Sequence, residues 1–134
     1  MLPITLTIAA AAALINVWLA VRVGQARHRA KVIMGDGGDP LLIARMRAQA
    51  NFVEYTPFVL ILLGLVEMAR GPRGWLWAVG IAYVLARIAH GFGMERPAPN
   101  PWRGGGIGVT LLALLILAIY ALTIVYTAPA GMVR

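Results

Sequence analysis

The strongest constraint on this chain is a set of four apolar runs, each about as long as the hydrocarbon core of a bilayer is thick. They are Leu2–Val21, about 51–69, Trp75–Met94 and Ile107–Thr127. A helix crosses that core with about 20 apolar residues. Unpaired backbone groups are too costly in hydrocarbon for open structures, so the four runs are predicted as transmembrane helices. Of 134 residues, 60% are hydrophobic and 13% charged, which leaves nothing for a separate soluble domain. The expected fold is an all-α membrane protein with four transmembrane helices in an up-down bundle, residues 1–134 forming a single membrane domain. The first run has no basic segment before it and is longer than the apolar core of a signal peptide. It is therefore expected to be retained.

The charges orient the bundle. Arg22, Arg27, Arg29, Lys31, Arg45 and Arg47 lie between the first and second runs, counting their ends. Arg87, Arg96 and Arg103 lie around the end of the third run and the loop after it, and Arg70, Arg73 and Arg134 fall on the other side. The positive-inside rule then makes the first and third loops cytoplasmic and puts both termini outside, in a multi-pass protein of the inner (cell) membrane. Trp18, Trp75, Trp77, Trp102 and Tyr126 fall near the ends of the runs, where an interfacial aromatic belt belongs. This topology and anionic headgroups account for the net charge of +7, so the expected partner is the lipid bilayer and not nucleic acid.

Cysteine is absent, which excludes disulfides, thiolate metal sites and a cysteine nucleophile. His28 and His90 are too few and too far apart for a metal motif. The "GGGIG" from Gly104 follows no strand and matches a dinucleotide loop poorly. The "MGDGGDP" at the centre of the first loop is rich in turn formers, and the proline-rich "ERPAPNPWRGGG" cannot be helical throughout. Small residues at Ala9–Ala13, Gly80 and Gly91 suit close approach of helices in lipid. Four helices enclose little interior, so a polar site is expected at a subunit interface of a homo-oligomer.

Ionisable groups inside spans are costly and are functional candidates by default. Arg47, Asn51, Glu54 and Phe58 share one helical face, with Tyr55 to one side and Gln49 pointing elsewhere. This face reads in two ways. It could receive a zwitterion, with Arg47 on a carboxylate, Glu54 on an ammonium and Asn51 on a peptide group. It could equally be an internal lock in which Glu54 pairs with Arg47 or Arg87. On the third run Arg87, Gly91 and Met94 share a face with His90 beside it, and His90 reads first as a structural hydrogen-bonder. Arg103, expected just before the fourth helix, reads either as a headgroup anchor or as a stabiliser of an anion such as a thiolate. Glu67 and Arg70 read as an exposed pair.

The stretch "RAQANFVEYTPF" closely resembles the second-helix signature of the MAPEG family, the membrane-associated proteins in eicosanoid and glutathione metabolism. "GQARHRAK" (24–31) is similar to the basic end of that family's first helix, and "ARIAHGFG" (86–93) to its third-helix R-x-x-H segment. Arg103 follows His90 by the spacing of the family's thiolate-stabilising arginine. The resemblance implies a homotrimer of four-helix subunits that bind glutathione between neighbours near the cytoplasmic face. It implies that Arg47, Gln49, Asn51, Glu54 and Tyr55 contact glutathione. Arg27 and Arg29 would meet its carboxylates, Arg87 and His90 would line the site, and Arg103 would be the catalytic residue holding the sulfur as thiolate. The nucleophilic sulfur would then come with the thiol co-substrate, and a lipophilic electrophile would arrive through the bilayer.

The prostaglandin E synthase-like branch has serine and arginine where this chain has Gly104 and Ala50, and several members of the family have tyrosine where it has Met94. The resemblance therefore implies glutathione conjugation or peroxide reduction rather than prostaglandin isomerisation. A small proton-coupled transporter and a non-catalytic scaffold are the alternative readings.

Overall fold

The structure, a computed structural model, describes residues 1–127; Arg134, counted in the charge balance above, lies outside the described residues. Four helices follow one another: α1 (Pro3–Ala30), α2 (Pro40–Arg70), α3 (Gly74–Gly93) and α4 (Pro101–Thr127). All four are long and apolar enough to cross a membrane, as the apolar runs predict. Three of them begin with proline at the first helical position, where the missing N–H is no loss. Asp39 caps α2, its carboxylate accepting from the Leu42 amide at 2.7 Å. Among the described residues there is no strand.

Helix packing follows from single stripes. On α1 the buried residues are Ile4, Ile8, Ala12, Ile15, Leu19, Val23 and Ala26, a repeat of fours and threes that keeps one seam inward. On α4 the seam is Gly106, Thr110, Ala113 and Leu117. Helices α2 and α3 touch each other and both outer helices, whereas α1 and α4 do not meet among the described residues. The bundle is therefore a diamond with α2 and α3 on its short diagonal. Leu6, Leu14, Val17, Leu112, Leu115 and Ile119 stay exposed, as suits surfaces that face lipid or another chain.

The expected close approaches occur at Gly80 and Gly91. A Cβ on Gly80 would lie 2.6 Å from Ile8 Cγ1, and one on Gly91 2.8 Å from Trp18 Cζ3. Of the Ala9–Ala13 run, Ala12 alone is buried.

One expectation is overturned. Glu67 is not half of an exposed pair with Arg70; it is 1% exposed. Its carboxylate accepts from the amides of Ile4 (3.0 Å) and Thr5 (2.8 Å) and from the Thr5 hydroxyl (2.6 Å). Helix α1 has no side-chain cap of its own. Glu67 supplies one from α2, satisfying orphan N–H groups and placing negative charge at the positive end of the helix dipole.

Candidate functional site

The site is built where α2, α3 and α4 meet at the end of the bundle that carries most of the basic residues. At its floor lies Arg87, 1% exposed. Its Nη2 donates to Asn51 Oδ1 at 2.9 Å, its Nη1 to Thr110 Oγ1 at 3.4 Å, and its charge sits 5.6 Å from the centre of the Phe52 ring. Its Nε finds no partner among the described residues. The expected pairing of Glu54 with Arg87 or Arg47 is therefore absent here: Asn51 takes that position, and Glu54 is exposed on the outer face of α2. A turn of helix separates Asn51 from Glu54, and Asn51 is the one turned towards α3.

The start of α4 is fixed by three contacts. Asn100 is its N-cap: its side-chain oxygen accepts from the Arg103 amide at 2.9 Å, while its Nδ2 donates to the Gly93 carbonyl at 3.0 Å. Gly93 lets the strand of backbone at Trp102–Arg103 pass so closely that a Cβ there would lie 2.8 Å from the Trp102 carbonyl carbon. His90 Nδ1 completes the clamp against the Arg103 carbonyl at 3.1 Å. Arg103 thus belongs to the first turn of α4 rather than preceding it, because Pro101 and the Asn100 cap start the helix early. On α3 the grouping that faces this region is Arg87, His90 and Met94, at spacings of three and four; Gly91 turns instead to Trp18 and Leu19 of α1.

Between these elements lies a cavity of about 180 Å³ lined by Arg47, Asn51, His90, Met94, Arg103 and Ile107. Four of the ten residues singled out from sequence therefore share one cavity, and a fifth, Arg87, reaches it through Asn51. No carboxylate lines it among the described residues, so it is a donor-rich, cationic recess. His90 is one of its lining residues, and its Nε2 is buried without a partner among the described residues.

The other five are placed elsewhere. Arg27 donates to the Gly35 carbonyl at 2.7 Å in the first loop and lies 3.6 Å from the Met46 sulfur. Arg29 is paired with Asp39 at 3.4 Å. Gln49 and Tyr55 are half-buried and do not line the recess, and Glu54 is exposed.

Residues 5–123 match the model of the MAPEG family. The chain belongs to the MAPEG family. Among curated proteins it is similar to the inner membrane protein YecN of Escherichia coli strain K12, 32% identical over 94 residues that cover 69% of this chain and 70% of YecN. The YecN of Escherichia coli O6:H1 strain CFT073 matches with the same identity and coverage. This is thus a membrane protein of the family associated with eicosanoid and glutathione metabolism.

This MAPEG chain holds a second polar knot that no local spacing in the sequence marks. Glu95, just past α3, holds Arg22 of α1 at 2.6 Å and Arg45 of α2 at 2.5 Å. Arg45 also donates to the Arg22 carbonyl at 2.7 Å. The Arg22 guanidinium is flanked by Trp18 and Phe92, 4.5 and 4.9 Å from the ring centres. The knot ties three helices together next to the recess. The signal for it was a lone carboxylate after the third run, opposite two arginines that end the first run and open the second. A larger apolar groove of about 880 Å³ runs along α3 and α4, lined by Leu85, Ala89, Phe92, Trp102, Gly105 and Val109 among others. It offers no charged side chain, in contrast to the smaller recess.

Proposed function

We propose that this protein binds glutathione and uses it as a thiolate, conjugating it to lipophilic electrophiles or reducing lipid peroxides. The observation that carries this reading is the composition of the recess: Arg47, Arg103 and, through Asn51, Arg87 converge with no carboxylate to neutralise them. Such a site favours anions. A free thiol has a pKa of about 8.5, and cations nearby lower it. Arg103, at the N-terminal turn of α4 where the helix dipole adds positive potential, is the residue assigned to the sulfur. Arg47 would take a carboxylate of the tripeptide by a two-pronged contact, and Asn51 a peptide group through its free amide.

In the conjugation step the thiolate sulfur attacks an electrophilic carbon, a C–S bond forms, and the leaving group departs with its electron pair. Holding both reactants at the membrane interface supplies the rest by proximity.

The recess is smaller than the roughly 300–1,000 Å³ of a pocket for a whole drug-sized ligand. The remainder of glutathione would be covered by a second copy. Glu54, Arg47 and Asn16 are exposed on the single chain at membrane-crossing helices, which supports a homo-oligomer, by resemblance a trimer. In that assembly Arg27, Arg29, Gln49, Glu54 and Tyr55 would complete the contacts from neighbouring surfaces. The basic first and third loops would face the cytoplasm, with the site at that end.

The test is a binding and absorbance titration. Glutathione is expected to raise the unfolding temperature of the purified protein and to produce a thiolate absorbance near neutral pH that Arg103→Ala loses. No change in either observable at saturating glutathione would end this reading.

A further inference from the structure

Resting on the glutathione reading, we propose that His90 is the residue that takes the proton from the thiol. The argument begins with the clamp on α4. His90 Nδ1 lies 3.1 Å from the Arg103 carbonyl oxygen. A carbonyl only accepts, so Nδ1 carries the hydrogen. A neutral imidazole has one N–H, so Nε2 is the bare, lone-pair nitrogen. That nitrogen is buried, on a side chain 4% exposed, and no donor reaches it among the described residues. A buried acceptor without a donor is costly, and a ligand hydrogen would relieve it.

The surroundings single His90 out. Of the recess-lining groups, Arg47 from α2 and Arg103 from α4 are permanently charged, as is Arg87 on α3 itself, and Asn51, Met94 and Ile107 do not titrate. From α1, Arg22 is engaged by Glu95 and packed against Trp18 and Phe92. The arginines can hold a thiolate but cannot accept a proton. His90 is the one lining group with a nitrogen lone pair that can accept a proton.

The step balances simply. The S–H bond breaks, its electron pair stays on sulfur beside Arg103, and the proton forms an N–H bond at Nε2. The imidazolium, surrounded by arginines, then returns the proton to water. The arginines set how much thiolate exists at equilibrium, and His90 sets how fast it forms.

His90→Asn separates these roles, because the asparagine amide can still donate to the Arg103 carbonyl from the Nδ1 position while Nε2 is lost. Wild type and variant are mixed rapidly with glutathione and followed by thiolate absorbance, with binding checked by thermal shift. The variant is expected to bind glutathione and reach similar thiolate at equilibrium, but to form it about 100-fold more slowly, in line with general base catalysis. Added imidazole is expected to restore part of the rate, which a packing defect would not allow. A variant that forms thiolate as fast as wild type overturns the assignment and leaves the binding site standing. Should the variant not fold, the wild type decides alone: thiolate formation is expected to slow in deuterium oxide, and equal rates would overturn the proposal. Failure of wild type to bind glutathione removes the binding reading itself, and this inference with it.

Discussion

Asn51→Leu removes the shortest hydrogen bond to a guanidinium that is 1% exposed and has no carboxylate beside it among the described residues. The remaining contact, to Thr110 at 3.4 Å, is long, and Nε already lacks a partner. A hydrogen bond to a charged group contributes about 1.5–3 kcal/mol, and stranding the buried charge puts the loss at the upper end of that range. Arg87→Met is the informative contrast. It removes the charge together with the need for Asn51, and replacing buried ionic groups by apolar ones of similar size is often close to neutral. The double variant Asn51→Leu/Arg87→Met is therefore expected to be more stable than Asn51→Leu alone, a strongly non-additive pair. Denaturant titration in mixed micelles without glutathione measures all three. If Arg87→Met is the most damaging single change, or if the two effects simply add, the guanidinium is not held in the way described.

Three further outcomes follow from the packing. Glu67→Gln replaces a carboxylate oxygen that accepts amide hydrogens with a group that donates, and is expected to destabilise by about 2 kcal/mol. The loss should appear as faster hydrogen exchange in the first turn of α1. Gly106→Ala would place a methyl 2.7 Å from both the Ala86 carbonyl and His90 Cβ, whereas at Gly104 a Cβ meets nothing within 4 Å. The first change is expected to lower the unfolding temperature and disturb the recess, and the second to be neutral or to add up to about 1 kcal/mol through helix propensity. Asp39 has its pKa held below the ordinary 3.8, first by the Leu42 amide and then by Arg29. Its capping contribution is complete above the unfolded pKa and is lost as pH falls through the folded one. Protection from hydrogen exchange at the start of α2, taken relative to the intrinsic rate at each pH, should therefore fall below about pH 4 in wild type, and less so in Asp39→Asn.

The parts of this molecule that are legible in the sequence share one property: they show in residue type alone, within a turn or two of one helix, or at a spacing the family resemblance supplies. The four spans, the close approaches at Gly80 and Gly91, and the convergence of Arg47, Asn51, His90 and Arg103 are of this kind. Helical spacing showed which residues share a face, but not which face turns inward. Nor does it resolve positions within a face: a step of three residues falls about 60° short of a full turn, enough for Asn51 to meet Arg87 while Glu54 stays outside. Glu67 is not legible as a cap because its partners, Ile4 and Thr5, sit more than sixty residues away at the opposite end of the sequence's first half. Beside Arg70 it resembles an ordinary surface pair until α1 is laid against α2. The same distance hides Glu95, fifty residues from Arg45, in a loop otherwise dominated by proline and glycine.

The most direct measurement is a glutathione titration of the purified protein followed by thermal unfolding and thiolate absorbance together. A ligand that binds only the folded state stabilises it by about 2.7 kcal/mol at a hundredfold excess over its Kd. The account predicts that rise in wild type, accompanied by thiolate absorbance near neutral pH, with Arg103→Ala losing the absorbance. An unfolding temperature and an absorbance that stay flat at saturating glutathione would contradict the assignment of the Arg47–Asn51–His90–Arg103 recess as a thiol site.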